Sequence, residues 1–254
     1  MTTNGATPTN SYAWPCSSRI LKVGRRLLEL PVAAAFPPRC VLCQRELSTL
    51  DVVCDDCVSS LPAFEGPRCQ RCNDPVADSS IDLCVRCGTT IHAADRIISL
   101  GPYHGSWGRL VCIFKFERER AVGRWLGERM AAALRAAESI GEFSAITFVP
   151  MTRRCRRERG FNQAEILAIV IAKQLNVPVV RLLIKTRTTL LQGRLPAAER
   201  KTNLQDAFRP LPSEQRRVLL VDDIYTTGAT AEECARTLKR GGAQSVVAMT
   251  VARA

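Results

Sequence analysis

The 254-residue sequence is short of long apolar runs. Near its start the longest mainly apolar stretch, residues 27–36, spans about ten residues and is broken by Glu29 and Pro31. A membrane-spanning helix needs about 20 apolar residues, so none is expected. The first 18 residues are polar and lack the basic stretch and long apolar stretch of a secretory leader, which predicts a cytoplasmic protein. Histidine is scarce: His92 and His104 stand alone and read as ordinary residues. Apolar residues are few between 40 and 90, so that segment cannot bury enough surface to fold alone. Elsewhere the composition is ordinary, with 46% apolar and 24% charged residues, which excludes a collagen-like or wholly disordered chain.

What the chain has in excess is positive charge and cysteine. Thirty-six Lys and Arg against 24 Asp and Glu give +12. That balance suits anionic partners such as nucleic acid, nucleotides or sugar phosphates. Eight of the twelve cysteines form four CxxC pairs, Cys40/Cys43, Cys54/Cys57, Cys69/Cys72 and Cys84/Cys87, separated by 10, 11 and 11 residues. In a reducing compartment such pairs are not disulfides. A CxxC turn brings two thiolates to one side of a tight knuckle, and two knuckles complete a tetrahedral S4 shell. The eight thiolates suffice for two structural Zn²⁺; a single zinc with two degenerate pairs is the alternative. Spacing does not say which knuckles share a metal, and sequential sharing is the simplest arrangement. Cys16, Cys112, Cys155 and Cys234 have no partner at ligand spacing and read as small core or surface residues.

Residues 1–37 read as a disordered lead and a short amphipathic helix, 38–90 as the cysteine-rich domain, and 91–254 as the main domain. Within the last, residues 92–105 read as a strand and turn. Helical spacing runs from Trp107 to about Ile140, with a break expected near Gly123. Then strands and helices alternate: AITFVP at 145–150, a helix over 162–175 started by Asn162, a strand region over 177–184 that Pro178 interrupts, VLLV at 218–221, a helix over 229–240 stopped by Gly241-Gly242, and a strand over 245–251. Continuous apolar strands in such alternation predict a parallel sheet with helices on both faces. Residues 186–203 are polar and aperiodic, and a stretch that long is usually functional or mobile.

Ligands of such sheets bind beyond the carboxyl ends of the strands. The strand Val218-Leu219-Leu220-Val221 runs directly into Asp222-Asp223-Ile224-Tyr225-Thr226-Thr227-Gly228-Ala229-Thr230, and a helix follows. The Thr/Gly turn offers hydroxyls and closely spaced backbone N–H groups at a helix N-terminus, which favours a phosphate. Two carboxylates beside it suit sugar hydroxyls or a compensating cation, so a sugar phosphate fits the whole segment. An Asp-rich cap on an ordinary turn is the plain alternative. Five cations, Arg153, Arg154, Arg156, Arg157 and Arg159, follow the AITFVP strand and belong at the same rim. Guanidinium groups there suit a diphosphate or a nucleic-acid backbone, or simply a solvated basic loop.

The segment LLVDDIYTTGAT resembles the fingerprint of type I phosphoribosyltransferases, which bind 5-phosphoribosyl 1-diphosphate (PRPP). Arg156-Arg157-Glu158-Arg159-Gly160-Phe161-Asn162-Gln163 resembles the RGFNQ signature of the ComF (ComFC-like) family. So do Gln192-x-x-Leu195, Glu199-Arg200-x-x-Asn203 and Ala207-Phe208, and so does the N-terminal double zinc ribbon. The resemblance implies a Rossmann-like phosphoribosyltransferase domain. It places Asp222 and Asp223 on the ribose hydroxyls and Thr226, Thr227, Gly228, Ala229 and Thr230 on the 5′-phosphate. It gives Asp222, Asp223, Arg157 and Arg159 to catalysis, and Arg153, Arg154, Arg156, Gln192 and Arg200 to a diphosphate or flexible loop. It further implies Mg²⁺ with PRPP, transfer to an acceptor that the sequence does not name, and a link to competence and DNA uptake. The other reading it allows is a non-catalytic protein on the same fold that binds incoming single-stranded DNA. Phe114-Lys115-Phe116-Glu117 departs from the family's usual Lys-Tyr-Gly-type segment, so the resemblance gives Lys115 no role.

Overall fold

The computed structural model describes residues 37–49, 51–117, 119–137, 141–186, 204 and 206–254. The amphipathic segment read at 19–36, and Gln192 and Arg200, lie outside these residues.

Four parallel strands make the sheet: β1 (Arg96–Pro102), β2 (Ala145–Phe148), β5 (Arg217–Val221) and β7 (Ser245–Arg253), in the order β1-β7-β5-β2. A short β6 (Ile224–Tyr225) pairs with the end of β7, and Val179 makes a single parallel bridge to Ile146 beyond β2. A separate antiparallel pair, β3 (Leu183–Lys185) with β4 (Phe208–Pro210), flanks the polar stretch read at 186–203. The region expected as one strand over 177–184 is therefore divided. Its first part touches the main sheet and its second part leaves it.

The inner strands β5 and β7 are buried on both faces because their side chains have a layer to enter on either side. Leu219 and Val221 of β5, with Val247, Met249 and Val251 of β7, pack under α4 (Arg120–Ala136) and α6 (Gln163–Leu175). Val218 and Leu220, with Val246 and Ala248, pack under α7 (Ala229–Arg240). The period of two along each strand sorts these residues between the two cores.

The helical stretch after β1 breaks earlier than its sequence suggests. It consists of α3 (Ser106–Cys112), a π-helical turn (Ile113–Glu117) and then α4. Gly123 is not the break. It lies inside α4, where a Cβ would come 2.3 Å from the Phe114 ring, so glycine is there for close approach. The arginine-rich stretch expected as a loop is instead α5 (Arg153–Arg159), capped by Thr152, whose Oγ1 accepts from Cys155 N at 3.3 Å, and closed by left-handed Gly160.

The cysteine-rich region forms two modules, carrying the short helices α1 (Asp55–Ser59) and α2 (Val85–Thr89). The first module contributes Cys40, Leu42 and Val53 to the core beneath α4 and α6. The second contributes Cys69, Cys72 and Cys87 to the core beneath α7. It also caps the outer edge of the sheet, where Ile97 N of β1 donates to Arg71 O at 2.6 Å. Among the described residues no helix is long and apolar enough to cross a membrane.

Candidate functional site

The site begins where β5 stops. Asp222 N donates to Met249 O (2.9 Å) and Val251 N to Asp223 O (3.1 Å), so β7 fixes the backbone of both acids. Asp222 Oδ1 accepts from Asp223 N at 2.9 Å. Asp223 Oδ2 lies 2.9 Å from Lys115 Nζ, a largely buried ion pair. Lys115 stands in the π-helical turn, an irregularity often found at functional sites. Burial pushes the Asp222 carboxyl up, and the negative charge of Asp223 pushes it further, to about 7; Lys115 and Lys185 pull the other way.

The turn after the acids is shaped by Gly228. Its φ is +81°, and a Cβ there would lie 2.3 Å from Tyr225 Oη, so no other residue fits without displacement. Gly228 is also the N-cap of α7 and makes no side-chain cap; Thr227 Oγ1 accepts from Ala229 N at 3.5 Å, and the next N–H groups of the helix are left for a ligand. A solvent-open hollow is lined by Asp222, Thr226, Gly228 and Thr230 together with Val149 and Thr250. Asp222 and the turn thus share one concavity on the rim of the sheet, with Asp223 beside it on Lys115.

The arginines stand along that rim, because β2 runs parallel to β5 and α5 follows β2. Arg154 pairs with Glu158 (2.9 Å) and Arg156 with Glu165 (3.1 Å). Arg159 donates to Gln163 Oε1 at 3.5 Å. Arg153 and Arg157 are exposed, with no partner among the described residues.

The eight paired cysteines form two groups, Cys40/Cys43/Cys54/Cys57 and Cys69/Cys72/Cys84/Cys87, each with its sulfurs within 4.8 Å of one another. Sequential sharing is the arrangement found. A tetrahedral zinc with Zn–S of about 2.3 Å needs sulfurs about 3.8 Å apart. Cys43 and Cys54 Sγ are 3.6 Å apart and Cys72 and Cys84 Sγ 3.7 Å, so both groups fit zinc. Burial alone would raise the Cys40 thiol, but backbone N–H groups of Cys43, Cys54 and Leu42 bring it down to about 6. Cys69 is likewise opposed by burial and brought to about 6 by the N–H groups of Cys84, Cys72 and Arg71. Burial pushes Cys57 up to about 12 and Cys72 to about 11. A dication at each centre is what allows all four to ionise together.

Several residues here carry no sequence signal. Arg86, Asp74, Arg253 and Glu232 bind the second module to the turn, and nothing in their local sequence announces it. His92, read as an ordinary residue, faces Glu232, with Nδ1 2.9 Å from Oε1.

The structure therefore defines a parallel α/β protein with two four-cysteine centres and an acid-and-turn site at the sheet rim. Residues 32–88 match the family model of the double zinc ribbon domain. The chain is 31% identical over 216 residues to the DNA utilization protein YhgH of Escherichia coli, covering 83% of this chain and 94% of that one. It is 28% identical over 228 residues to competence protein F of Haemophilus influenzae, covering 86% and 98%. It is 25% identical to competence protein ComFC of Bacillus subtilis over 213 residues, 79% and 84% of the two chains. The chain belongs to the ComF family. Among solved structures it overlaps the glutamine PRPP amidotransferase of B. subtilis at 24% identity over 50% of this chain and 25% of that one, with a TM-score of 0.34. At that score the overlap carries no weight for function.

Proposed function

We propose that the chain binds PRPP in the hollow at the rim and transfers its phosphoribosyl group to an acceptor, in support of DNA uptake or use. One observation carries this reading: Asp222 and the turn residues Thr226, Gly228 and Thr230 at the start of α7 line the same concavity, with Asp223 the next residue along the chain. The 5′-phosphate takes the N–H groups and hydroxyls of the 226–230 turn, and the ribose 2′ and 3′ hydroxyls donate to the acids. The relatives' names support the DNA link, since they are called competence and DNA utilization proteins.

In the transfer, the bond from ribose C1 to the diphosphate oxygen breaks and the diphosphate leaves with the electron pair. C1 then bonds to the acceptor nucleophile. Charge grows on the leaving group, where guanidinium groups of α5 stabilise it. Arg157 is exposed and turned to solvent; Arg159 is steadied by Gln163. The acid pair holds little surplus charge, because Lys115 already compensates Asp223 and Asp222 keeps its proton up to about pH 7. A Mg²⁺ accompanying PRPP would therefore be held mainly by diphosphate and ribose oxygens, and would supply charge neutralisation on the leaving group.

Calorimetric titration with PRPP, with and without Mg²⁺, tests the reading, using Asp222→Asn/Asp223→Asn as the control. Binding by the native chain and its loss in the double variant are expected. No heat with the native chain under either condition would overturn it. A second reading, direct binding of single-stranded DNA, is favoured by the unpartnered Arg153 and Arg157. Such binding weakens steeply with salt.

A further inference from the structure

The second cysteine module is fastened to the turn 226–230 by two straps. The first is Arg86, placed between the ligands Cys84 and Cys87. Its Nη2 lies 2.9 Å from Asp74 Oδ2 and 3.3 Å from Tyr225 Oη, and its Nη1 donates to Thr227 O at 3.3 Å. Asp74 is held from the other side by Arg253, whose Nη1 also donates to Cys72 O. The Arg253 guanidinium lies 4.5 Å above the Tyr225 ring. The second strap is Glu232, in the first turn of α7, which accepts from Ala93 N at 2.6 Å and faces His92. The first module is fastened elsewhere, to α3, through Trp107 Nε1 on Pro62 O (2.8 Å) and Arg109 Nη1 on Leu42 O (2.7 Å).

The geometry points to a positioning role: we propose that Arg86 couples the second four-cysteine centre to the turn and holds the turn in its anion-receiving shape. The physical chain is short. Ligation at Cys84 and Cys87 fixes the backbone on both sides of Arg86. The guanidinium is a rigid planar fork, so fixing its base fixes where its N–H groups can reach. One prong holds the Thr227 carbonyl. Because the peptide is planar and trans, this turns the Gly228 N–H to the opposite side. Gly228 lines the hollow. The other prong holds Tyr225, whose ring and hydroxyl form the wall that Gly228 packs against. Metal state at the second centre is thereby transmitted to the phosphate turn; the first centre has no such route among the described residues. The functional half of this inference rests on the reading of the turn as a phosphate site.

The test compares Arg86→Met and Arg86→Lys with the native full-length chain on three readouts: zinc content, amide hydrogen exchange across 225–231, and affinity for ribose 5-phosphate. With two zincs retained, Arg86→Met is expected to speed exchange in the turn and weaken binding tenfold or more, and Arg86→Lys to recover part of both. Unchanged exchange and unchanged affinity in a zinc-replete Arg86→Met chain would overturn the proposal. If Arg86→Met sheds its second zinc, Tyr225→Phe takes its place, since it removes one acceptor of the same guanidinium without touching a cysteine; unchanged exchange there also overturns it. A native chain that ignores ribose 5-phosphate, while Arg86→Met still speeds exchange, sinks the phosphate reading and upholds the mechanical coupling.

Discussion

Lys115 Nζ sits 2.9 Å from Asp223 Oδ2 with both side chains mostly shielded from water, joining a π-helical turn after α3 to the end of β5. A buried carboxylate so paired is strongly dependent on its partner, because removing one member leaves an uncompensated charge. Lys115→Met is expected to raise the Asp222 carboxyl further above about 7, since Lys115 is among the charges that pull it down. PRPP binding should then weaken about tenfold at neutral pH and recover as pH rises. A pH series of binding isotherms checks this; an unchanged series would show that Lys115 does not govern the acids.

The raised Asp222 carboxyl also makes stability depend on pH. In the unfolded chain an aspartate releases its proton near pH 3.9, whereas in the folded protein Asp222 keeps it to about 7. Over that window the folded state binds more protons, so this group's contribution falls as pH rises and stays low above about 7. Asp222→Asn removes the slope. At pH 8 the variant should be more stable than the native chain by up to about 4 kcal/mol, with the difference vanishing near pH 4. Denaturant unfolding at the two pH values measures it.

Gly228→Ala puts a methyl group against Tyr225 Oη and forces alanine into a left-handed conformation. A loss of about 2 to 3 kcal/mol in unfolding free energy is expected. The double variant Gly228→Ala/Tyr225→Phe should recover part of it, because the closest atom is the hydroxyl. A double-mutant cycle shows whether the two changes are coupled.

Metal content is a direct check on the cysteine centres. Native mass spectrometry should find two zincs per chain, one for each group of four. Strong chelation is expected to open residues 38–90 to protease before the sheet. Trp107 fluorescence should change in the same step, because that indole donates to Pro62 O in the first module. An apo chain with an unaltered cleavage pattern would remove the metal from the folding argument.

Single-stranded DNA binding, where present, should follow α5 and not the acids. Arg153→Ala/Arg157→Ala is expected to lower the salt dependence of binding by a slope of about 1 to 2. Asp222→Asn/Asp223→Asn should leave it intact while abolishing PRPP binding. Joint loss in a folded double-aspartate variant would falsify the view that the two ligands use separate surfaces.

Much of this molecule is legible in its sequence. Four CxxC pairs at near-equal spacing announce metal knuckles, and VLLV followed by DD and TTGAT announces a strand, an acidic rim and an anion turn. Those signals are local, and local chemistry survives folding. What could not be read depends on distant partners. Phe114-Lys115-Phe116 looks like part of a helix, and only the π turn and β5 bring its lysine to Asp223. Arg86 sits in a knuckle that any zinc ribbon could contain, and its contacts with Thr227 and Tyr225 exist only because the second module packs over α7. The strand expected over 177–184 divided because an apolar run does not say which sheet will take it.

The hydrogen bond from Ile97 to Arg71 has a consequence for the chain's handling in solution. β1 ends the parallel sheet, and an open strand end-on to water is a template for another chain. Here the template is met by the loop between Cys69 and Cys72, two ligands of the second four-cysteine centre. Loss of zinc would therefore be felt first as stickiness: demetallated protein should form strand-mediated aggregates even while its central strands remain intact.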